Sequence, residues 1–486
     1  MTGVQTCALP IFAIQWRVTG GEPHALRLHF TGRLDRPALA EITELDPPRP
    51  TGAVTTLSAE RSRLVVQSTL PATLGLDADA GEWVIDGPKA TLNAGPLMAV
   101  RIATLDDRPS GAQRARGMGD LEPTEPAARI VGRALAYVRG STALRTTADE
   151  VVLLTDHRIL PLSWARDAYY QALLLLATGL PGDADLVADH LRWLWRRCDR
   201  PGGRWVRSHH ANGRPKDIAF QADQQLYPII ELTDYWRARG SLPDGVDWKS
   251  EVGRAWAAAV AEVDAATGLM ATTETAADDP APAPFVSGSQ VLLWYAALRL
   301  AEVAEAEGLG LDPGELRALG SAIRSRFDRH LVAGGRWLYA TDAGQARVDY
   351  HDANDLPVAL APLLGFCDSA DPGWRGTMDF AFSRANPGYF DGERAGLGSV
   401  HTPAPWTLGD VQAWIRARAG GDEASMAAAL DRLAEVCFDD GMLPEAYSAG
   451  RNPDVRIRHW FAWPGAALGA LLLLDARGEL GSLKTR

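Results

Sequence analysis

Apolar residues recur every three or four positions from about residue 125 onward, and this spacing predicts α-helices. In the third such segment, for example, Val187, Leu191 and Leu194 fall on one helical face. Periodicity and capping residues together predict twelve helices, at 125–139, 164–179, 183–199, 220–238, 246–266, 286–307, 313–331, 354–364, 373–384, 406–418, 422–438 and 461–475.

The last of these segments contains PGAALGALLLL and has no polar face. A helix that is apolar all round is buried, and this one is too short to cross a bilayer, so we expect a core helix. The loop before it places Glu445 near Tyr447, Arg458 and Trp460. An acid among aromatic and cationic groups is typical of a sugar-cleaving carboxylate; a surface Glu paired with an Arg is the alternative.

Short and long connections alternate between the predicted helices. Short loops join antiparallel neighbours, so six helical hairpins follow, and all the long loops emerge at one end. Six hairpins closed in a ring form an (α/α)6 toroid, with its pocket at the end that carries the long loops. The predicted long loops are 140–163, 200–219, 267–285, 332–353, 385–405 and 439–460.

The N-terminal region has a different pattern, with short β-like runs separated by Gly, Pro and Asp. We expect a smaller β-sandwich over 12–105, a polar connection over 106–124 and the helical domain over 125–486. Residues 1–11 resemble a translated sequencing-library adapter, so they are left out of the fold prediction and the native start is expected upstream. The predicted strands are 13–18, 25–30, 63–68, 82–85 and 98–102.

Composition narrows the class of ligand. The net charge of −12 argues against nucleic acid and anionic membranes, because both bind basic surfaces. The 16 Trp residues outnumber Phe and Tyr, and flat aromatic side chains suit the faces of sugar rings, although most Trp are expected in the core. No spacing of Cys or His indicates a metal site, since the adjacent His209 and His210 point apart.

Polar residues suited to catalysis fall in or just after the long loops, as the toroid requires. Surface loops are polar in any case, so part of this set is expected to be incidental. The candidates are Asp156, Trp164, Arg166, Asp167, His209, His210, Asn212, Gln221, Asp223, Glu274, Asp278, Asp279, Tyr350, His351, Asp352, Asn386, Tyr389, Ser399, His401 and Glu445.

At these loops the chain resembles glycoside hydrolase family 125. The shared stretches, in family order, are LPLSWARDAYYQ, FQADQQLYP, TETAADDPAPAPFVSGSQV, HDANDLPVALAPLLGF, NPGYFDGERAGLGSVHTPAPW and LPEAY with RIRHWFAW. GLGSVHTP and LPEAY with RHWFAW are the most specific, whereas WARDA occurs in other six-hairpin glycosidases. The resemblance implies a metal-independent, inverting exo-α-mannosidase on an (α/α)6 barrel, acting on α-1,6 linkages and needing no cofactor.

The resemblance also implies roles for single residues. Glu445 matches the general base, and the pair Asp278–Asp279 matches the site of the general acid, with Asp279 slightly favoured. The chain has Thr275, Ala276 and Ala277 where the family usually has Arg-Pro-Ser, and Pro444 in place of a common His, so another α-linked hexose stays a possible substrate. Residues that match or adjoin the sugar pocket are Trp164, Arg166, Asp167, Gln221, Asp223, Asp352, His401, Arg458 and Trp460.

Chemistry gives the same assignment of roles. Inversion needs a protonated carboxyl and an ionised carboxylate roughly 6.5–9.5 Å apart on opposite faces of the sugar. The Ala- and Pro-rich loop around Asp278–Asp279 is expected to raise the pKa of the acid by desolvation and charge repulsion. Arg456, Arg458 and His459 are expected to keep Glu445 ionised. A solvated Asp-Asp-Pro turn is the alternative for the acidic pair.

The sequence therefore predicts an inverting exo-α-glycosidase that acts on an oligosaccharide or small glycoside, with no cofactor, nucleic acid or membrane partner. We expect a cytoplasmic location. A glucoamylase-type α-glucosidase and a catalytically silent sugar-binding toroid are the alternatives.

Overall fold

The computed structural model describes residues 126–485, except Arg158 and 437–440, together with ten short strands and Arg61 between residues 6 and 104. The described residues contain twelve α-helices, at the positions that the periodicity predicts. They are α1 (Pro126–Tyr137), α2 (Ala165–Ala177), α3 (Pro181–Arg192), α4 (Ala222–Arg239), α5 (Trp248–Val260), α6 (Ser287–Glu307), α7 (Pro313–His330), α8 (Leu356–Leu364), α9 (Pro372–Ala381), α10 (Thr407–Gly420), α11 (Glu423–Val436) and α12 (Ala462–Ala476). Single π-helical turns, Val138–Thr142 and Trp193–Arg197, extend α1 and α3, and 3-10 turns lie at Pro201–Gly203 and Leu480–Leu483.

The N-terminal strands form antiparallel sheets. They are β1 (Thr6–Leu9), β2 (Phe12–Gln15), β3 (Val18–Thr19), β4 (Leu26–Thr31), β5 (Thr55–Glu60), β6 (Arg63–Ser68), β7 (Thr73–Ala78), β8 (Glu82–Asp86), β9 (Lys89–Ala94) and β10 (Val100–Thr104). β1 pairs with β2, and the rest form two four-stranded sheets in the orders β3-β4-β9-β8 and β10-β7-β6-β5. Two such sheets fit the predicted small β domain. Its predicted boundary at 105–125 lies outside the described residues and stays a prediction, as does the origin of residues 1–11.

The even-numbered helices form a closed inner ring. α2 packs on α4, α4 on α6, α6 on α8, α8 on α10, α10 on α12, and α12 on α2. A helix in such a ring is covered on every side, and this explains why α12 has no polar face: thirteen of its fifteen residues are buried. The core helix predicted from PGAALGALLLL is confirmed.

The odd-numbered helices form the outer layer and are amphipathic. In α7, Leu316, Gly320, Ile323 and Phe327 are the four buried residues of eighteen, and they form one stripe. α1 packs on α12, α3 on α2 and α4, α5 on α4, α7 on α6, and α11 on α10. Trp374 in α9 donates a hydrogen bond from Nε1 to the carbonyl of Val358 in α8, at 3.0 Å. The predicted (α/α)6 toroid is confirmed.

Each long loop leads from an outer helix into the N-terminus of an inner helix, so the long loops meet at one end of the toroid. They carry short antiparallel strands that hold them in place over the inner ring. These strands are β11 (Ala143–Thr147), β12 (Glu150–Leu153), β13 (Ser208–His209), β14 (Pro215–Asp217), β15 (Phe285–Val286), β16 (Val332–Ala333), β17 (Arg336–Trp337), β18 (Ala340–Thr341), β19 (Arg347–Val348), β20 (Tyr389–Phe390), β21 (Gly396–Ser399), β22 (Ala404–Pro405), β23 (Ala446–Tyr447) and β24 (Val455–Ile457).

Among the described residues, no helix combines the length and the apolar character that crossing a membrane requires.

Candidate active site

A cavity opens between the N-terminal ends of α2, α8, α10 and α12, at the end of the toroid that carries the long loops. It encloses about 300 Å³ of empty space, counting its open mouth. A cavity formed by loops at the end of a rigid scaffold is where function is usually found. Its walls are Trp164, Arg166, Asp167, Ala276, Ala277, Asp278, Asn354, His401, Trp406, Glu445, Arg458, Phe461 and Trp463.

Arg166, in the first turn of α2, joins the acidic residues of the cavity. Its guanidinium lies 2.9 Å from the carboxylate of Asp223, 3.3 Å from that of Asp278 and 3.5 Å from that of Asp167. Burial lowers the pKa of Arg166, but these three carboxylates outweigh burial, so the pKa lies above its ordinary value. The cation therefore stays charged and holds three carboxylates around one point.

Replacing Arg166 with Met is expected to lower the free energy of unfolding by roughly 3–5 kcal/mol, because it leaves buried carboxylates without their cation. The measurement is urea unfolding at pH 7. The matched control is Arg416→Met, which removes an arginine from a solvent-exposed ion pair with Asp379. Such surface pairs contribute at most about 1 kcal/mol. Equal losses of unfolding free energy in the two variants would show that Arg166 stabilises the fold no more than an exposed arginine does.

Asp278 lies on the cavity wall as a fixed hydrogen-bond acceptor. It accepts from Trp164 Nε1 at 3.1 Å, from Arg166 Nη2 at 3.3 Å and from Gln221 Nε2 at 2.6 Å. Its backbone φ is +64°, a conformation that side chains other than Gly rarely adopt. Of the four described non-glycine residues with positive φ, Asp278 and Arg458 lie in this cavity, which is where strained backbone is typically found.

Asp279 lies beside the cavity and is the more exposed member of the pair, since its side chain is 39% exposed and that of Asp278 is 21%. Its Oδ1 lies 3.0 Å from His401 Nδ1. His401 itself lines the cavity. One carboxylate of the pair therefore faces the interior and the other is close to solvent.

Glu445 also lines the cavity, with its side chain only 3% exposed. Its main chain is fixed by neighbouring loops: its amide donates to Arg458 O at 2.9 Å, and its carbonyl accepts from Thr407 N at 3.2 Å. Burial raises the pKa of Glu445, while the nearby charges of Arg458 and His401 lower it, and burial dominates. Arg458 Nε is 2.7 Å from Glu445 Oε2, although the geometry is not that of a hydrogen bond.

Several buried polar atoms on this cavity wall have no hydrogen-bond partner among the described residues. They belong to two acids, two arginines and one indole. Buried polar groups are normally satisfied, so unsatisfied atoms that line one cavity indicate a ligand rich in donors and acceptors. The atoms are Glu445 Oε2, Asp167 Oδ1, Arg166 Nε, Arg458 Nε and Trp463 Nε1.

Residues 253–473, which include the acidic pair, Glu445 and most of this wall, match the sequence profile of the family described as metal-independent alpha-mannosidase, GH125. This segment of the chain is similar to glycoside hydrolase family 125. No curated protein sequence matches the chain.

Several solved structures have the same fold as this chain. A metal-independent α-mannosidase from Streptococcus pneumoniae, in a non-productive complex with alpha-1,6-mannobiose, matches with a TM-score of 0.62 and 18% identity, over 74% of this chain and 96% of that one. A bacterial glucoamylase in complex with acarbose matches with a TM-score of 0.55 and 11% identity, over 98% and 82%. A glucoamylase from Saccharomycopsis fibuligera matches with a TM-score of 0.52 and 12% identity, over 76% and 99%. Because these sequence identities are low, the likeness shows a shared fold and nothing more.

Most of the site residues predicted from the sequence come together at this cavity. Trp164, Arg166, Asp167, Asp278, His401, Glu445 and Arg458 line it. Gln221, Asp223 and Asp279 contact its lining residues directly.

Asp352 and Trp460 do not line the cavity. Asp352 is buried beneath it and accepts hydrogen bonds from Tyr350 at 2.5 Å and Ser399 at 2.8 Å, so it supports the loops. Trp460 packs against the rings of His157 and His459 instead. Within RHWFAW, Arg458, Phe461 and Trp463 turn toward the cavity and Trp460 turns away.

The expected electrostatics of the two acidic sites were partly wrong. Asp278 is not in an apolar environment, because Arg166 and two neutral donors surround it. Arg456 is exposed, and the cations that act on Glu445 are Arg458 and His401. Burial outweighs both cations, so the pKa of Glu445 is raised and not lowered as expected.

Two aromatic residues of the cavity, Trp406 and Phe461, were missed by sequence reasoning, although they share a position with the predicted Trp164. Trp164, Trp406 and Phe461 are the residues that immediately precede α2, α10 and α12. An aromatic residue at the start of an inner helix points into the mouth of the ring. That shared position is the signal that would have found Trp406 and Phe461.

The His pair at 209 and 210 does not form a metal site. His209 Nε2 lies 3.1 Å from the carbonyl of Asp199, and burial lowers the pKa of His209 to about 4. No group of three or more His, Cys, Asp or Glu residues in the described part of the chain is placed to hold a metal.

Proposed function

We propose that the protein is an inverting exo-α-mannosidase that removes terminal mannose from an oligosaccharide or small glycoside. The observation that carries the proposal is the set of unsatisfied polar atoms in the cavity that Glu445 and Asp278 both line. A sugar ring offers hydroxyl groups to such atoms and an apolar face to aromatic walls. The family match and the α-1,6-mannobiose complex of the pneumococcal enzyme support mannose as the sugar.

The exposure of the three carboxylates supports the assignment of their roles. Exposure rises from 3% for Glu445 to 21% for Asp278 and 39% for Asp279. In a pocket that takes the end of a glycan, the leaving group points to the mouth and water attacks from the deep side. The deep Glu445 therefore suits the base, and Asp279 suits the acid that protonates the leaving oxygen.

Asp278 is better suited to binding the terminal sugar than to donating a proton. Three donors surround its carboxylate, including the cation of Arg166, and they fix its position on the cavity wall. A rigid carboxylate accepts hydrogen bonds from sugar hydroxyl groups. Trp463 and Phe461 supply apolar surface in the same cavity.

His401 is proposed as a positioning residue for the acid. Its Nδ1 contact with Asp279 fixes the carboxyl at the mouth of the cavity. The same ring is close enough to Glu445 to affect its pKa. It therefore lies between the two groups whose protonation states must differ.

The test is NMR of the sugar first released from an aryl α-mannoside. Inversion predicts β-mannose as the initial product, followed by slow equilibration of the anomers, with little or no cleavage of the matching α-glucoside. Initial α-mannose would contradict inversion, and preferential cleavage of the glucoside would favour a glucoamylase-type enzyme. No cleavage of either substrate, together with retained binding of mannose, would favour a silent sugar-binding toroid.

A further inference from the structure

A second cavity lies at the opposite end of the toroid, where the inner helices end. It encloses about 1080 Å³ of empty space counting its open mouth, against about 300 Å³ for the candidate active site, and the two share no residue. Its walls come from the C-terminal halves of α2, α4, α6 and α12 and from the tail around Leu483. Its two carboxylates, Asp234 and Glu479, are each ion-paired with an arginine. Neither is placed as a free acid or base, so this larger cavity is not the candidate site of hydrolysis.

Four arginines line this second cavity. Arg239 hydrogen-bonds to the side chain of Tyr235, and two others are held by partners elsewhere in the fold. Arg237 binds both oxygens of Glu302 and the carbonyls of Ser482 and Lys484. Arg477 donates to the carbonyl of Ala177 at the end of α2 and pairs with Glu479. Cations at helix C-termini are stabilising, so these two residues are explained by the fold.

Arg299 is not explained in the same way. Its side chain is only 2% exposed, and one nitrogen, Nη2, pairs with Asp234. Its Nε and Nη1 are buried with no hydrogen-bond partner among the described residues. The second oxygen of Asp234 accepts a hydrogen bond from Tyr169 at 3.1 Å, so Asp234 is divided between Arg299 and Tyr169. A buried cation whose donors are only partly satisfied is costly unless a further anion completes its pairing.

We infer that this cavity binds a small oxyanion, a molecule with a phosphate or carboxylate group that Arg299 receives inside and Arg239 receives at the rim. Planar guanidinium groups bind both kinds of oxyanion through paired hydrogen bonds. Burial raises the pKa of Asp234, the carboxyl that pairs with Arg299. Apolar walls leave space for a compact carbon body beside the anionic group: Leu173, Leu176, Leu180, Leu474 and Leu483.

The experiment is calorimetric titration of the full chain with orthophosphate and with citrate, at constant ionic strength. We expect saturable binding of at least one probe, and which probe binds distinguishes a phosphate from a carboxylate ligand. Arg239→Gln is expected to weaken binding about tenfold, the typical effect of losing one charge-assisted hydrogen bond. Arg416→Gln makes the same charge change at a distant exposed site and is expected to bind like the parent.

A second variant tests the buried arginine. Arg299→Lys keeps the charge but removes the planar donors, and it is expected to weaken binding further where circular dichroism shows a folded chain. If that variant does not fold, Arg239→Gln decides alone. Absence of saturable binding by both probes, or equal weakening in Arg239→Gln and Arg416→Gln, would overturn the inference.

Discussion

Replacing Glu445 with Gln is expected to lower kcat on an aryl α-mannoside by roughly 10²–10⁴-fold, the usual contribution of a general base. Gln keeps the size of the side chain but cannot take a proton from the attacking water. Glu445 is buried and lines the cavity, where it can reach a water molecule beside the bound sugar. Initial rates with p-nitrophenyl α-mannoside measure the loss.

The azide ion provides the control for Glu445→Gln, because it is a nucleophile that needs no base. In the variant, azide is expected to attack the anomeric carbon as the glycosidic bond breaks, giving β-mannosyl azide and restoring part of the rate. Glu435→Gln removes an exposed acid from α11 and is expected to leave kcat unchanged. A kcat for Glu445→Gln within about tenfold of the parent value would exclude the role of base.

The pH profile gives a second readout for the same residue. Because burial raises the pKa of Glu445, the base becomes protonated at a pH above the ordinary Glu range. In the parent enzyme, kcat/KM is therefore expected to fall on the acidic side as pH drops through that raised pKa. This limb should disappear in Glu445→Gln.

The toroid was predictable because its evidence is local. Helical periodicity and loop length are both properties of adjacent residues, and together they specify which helices are neighbours. The apolar α12 could only be an inner helix, and the single stripe of α7 could only belong to an outer one. The positions of the long loops then predicted where polar groups would meet.

The N-terminal strands were harder to predict because strand pairing is not local. β5, β7 and β9 were missed; their sequences TTLSAE, TLGLDA and KATLNA contain few β-branched or aromatic residues. β9 nevertheless pairs with both β4 and β8. Neighbouring strands, which the local sequence does not reveal, decide such cases.

The electrostatics of the site were only partly predictable for a similar reason. The residues adjacent to Asp278 are Ala, Asp and Pro, and they predicted an apolar setting. The cation that determines its environment is Arg166, which is 112 positions away in the sequence. Trp460 and Trp463 show the same limit, since nothing in RHWFAW indicates which indole turns toward the cavity.

Asp279→Asn is expected to have an effect that depends on the leaving group. On methyl α-mannoside, kcat/KM should fall by roughly 10²–10⁴-fold, because the methoxide leaving group needs a proton. On 2,4-dinitrophenyl α-mannoside the fall should be small, because the phenolate leaves without one. The measurement is kcat/KM for both substrates in both the parent and the variant.

Asp278→Asn is the matched comparison for Asp279→Asn, since it makes the same chemical change at the adjacent residue. If Asp278 binds the terminal sugar, the variant should lose a similar factor on both substrates, because the sugar is identical in the two. Strong leaving-group dependence in Asp278→Asn, with none in Asp279→Asn, would exchange the two roles. If neither variant showed leaving-group dependence, neither residue would be the acid, and the proposed hydrolysis would need another proton donor.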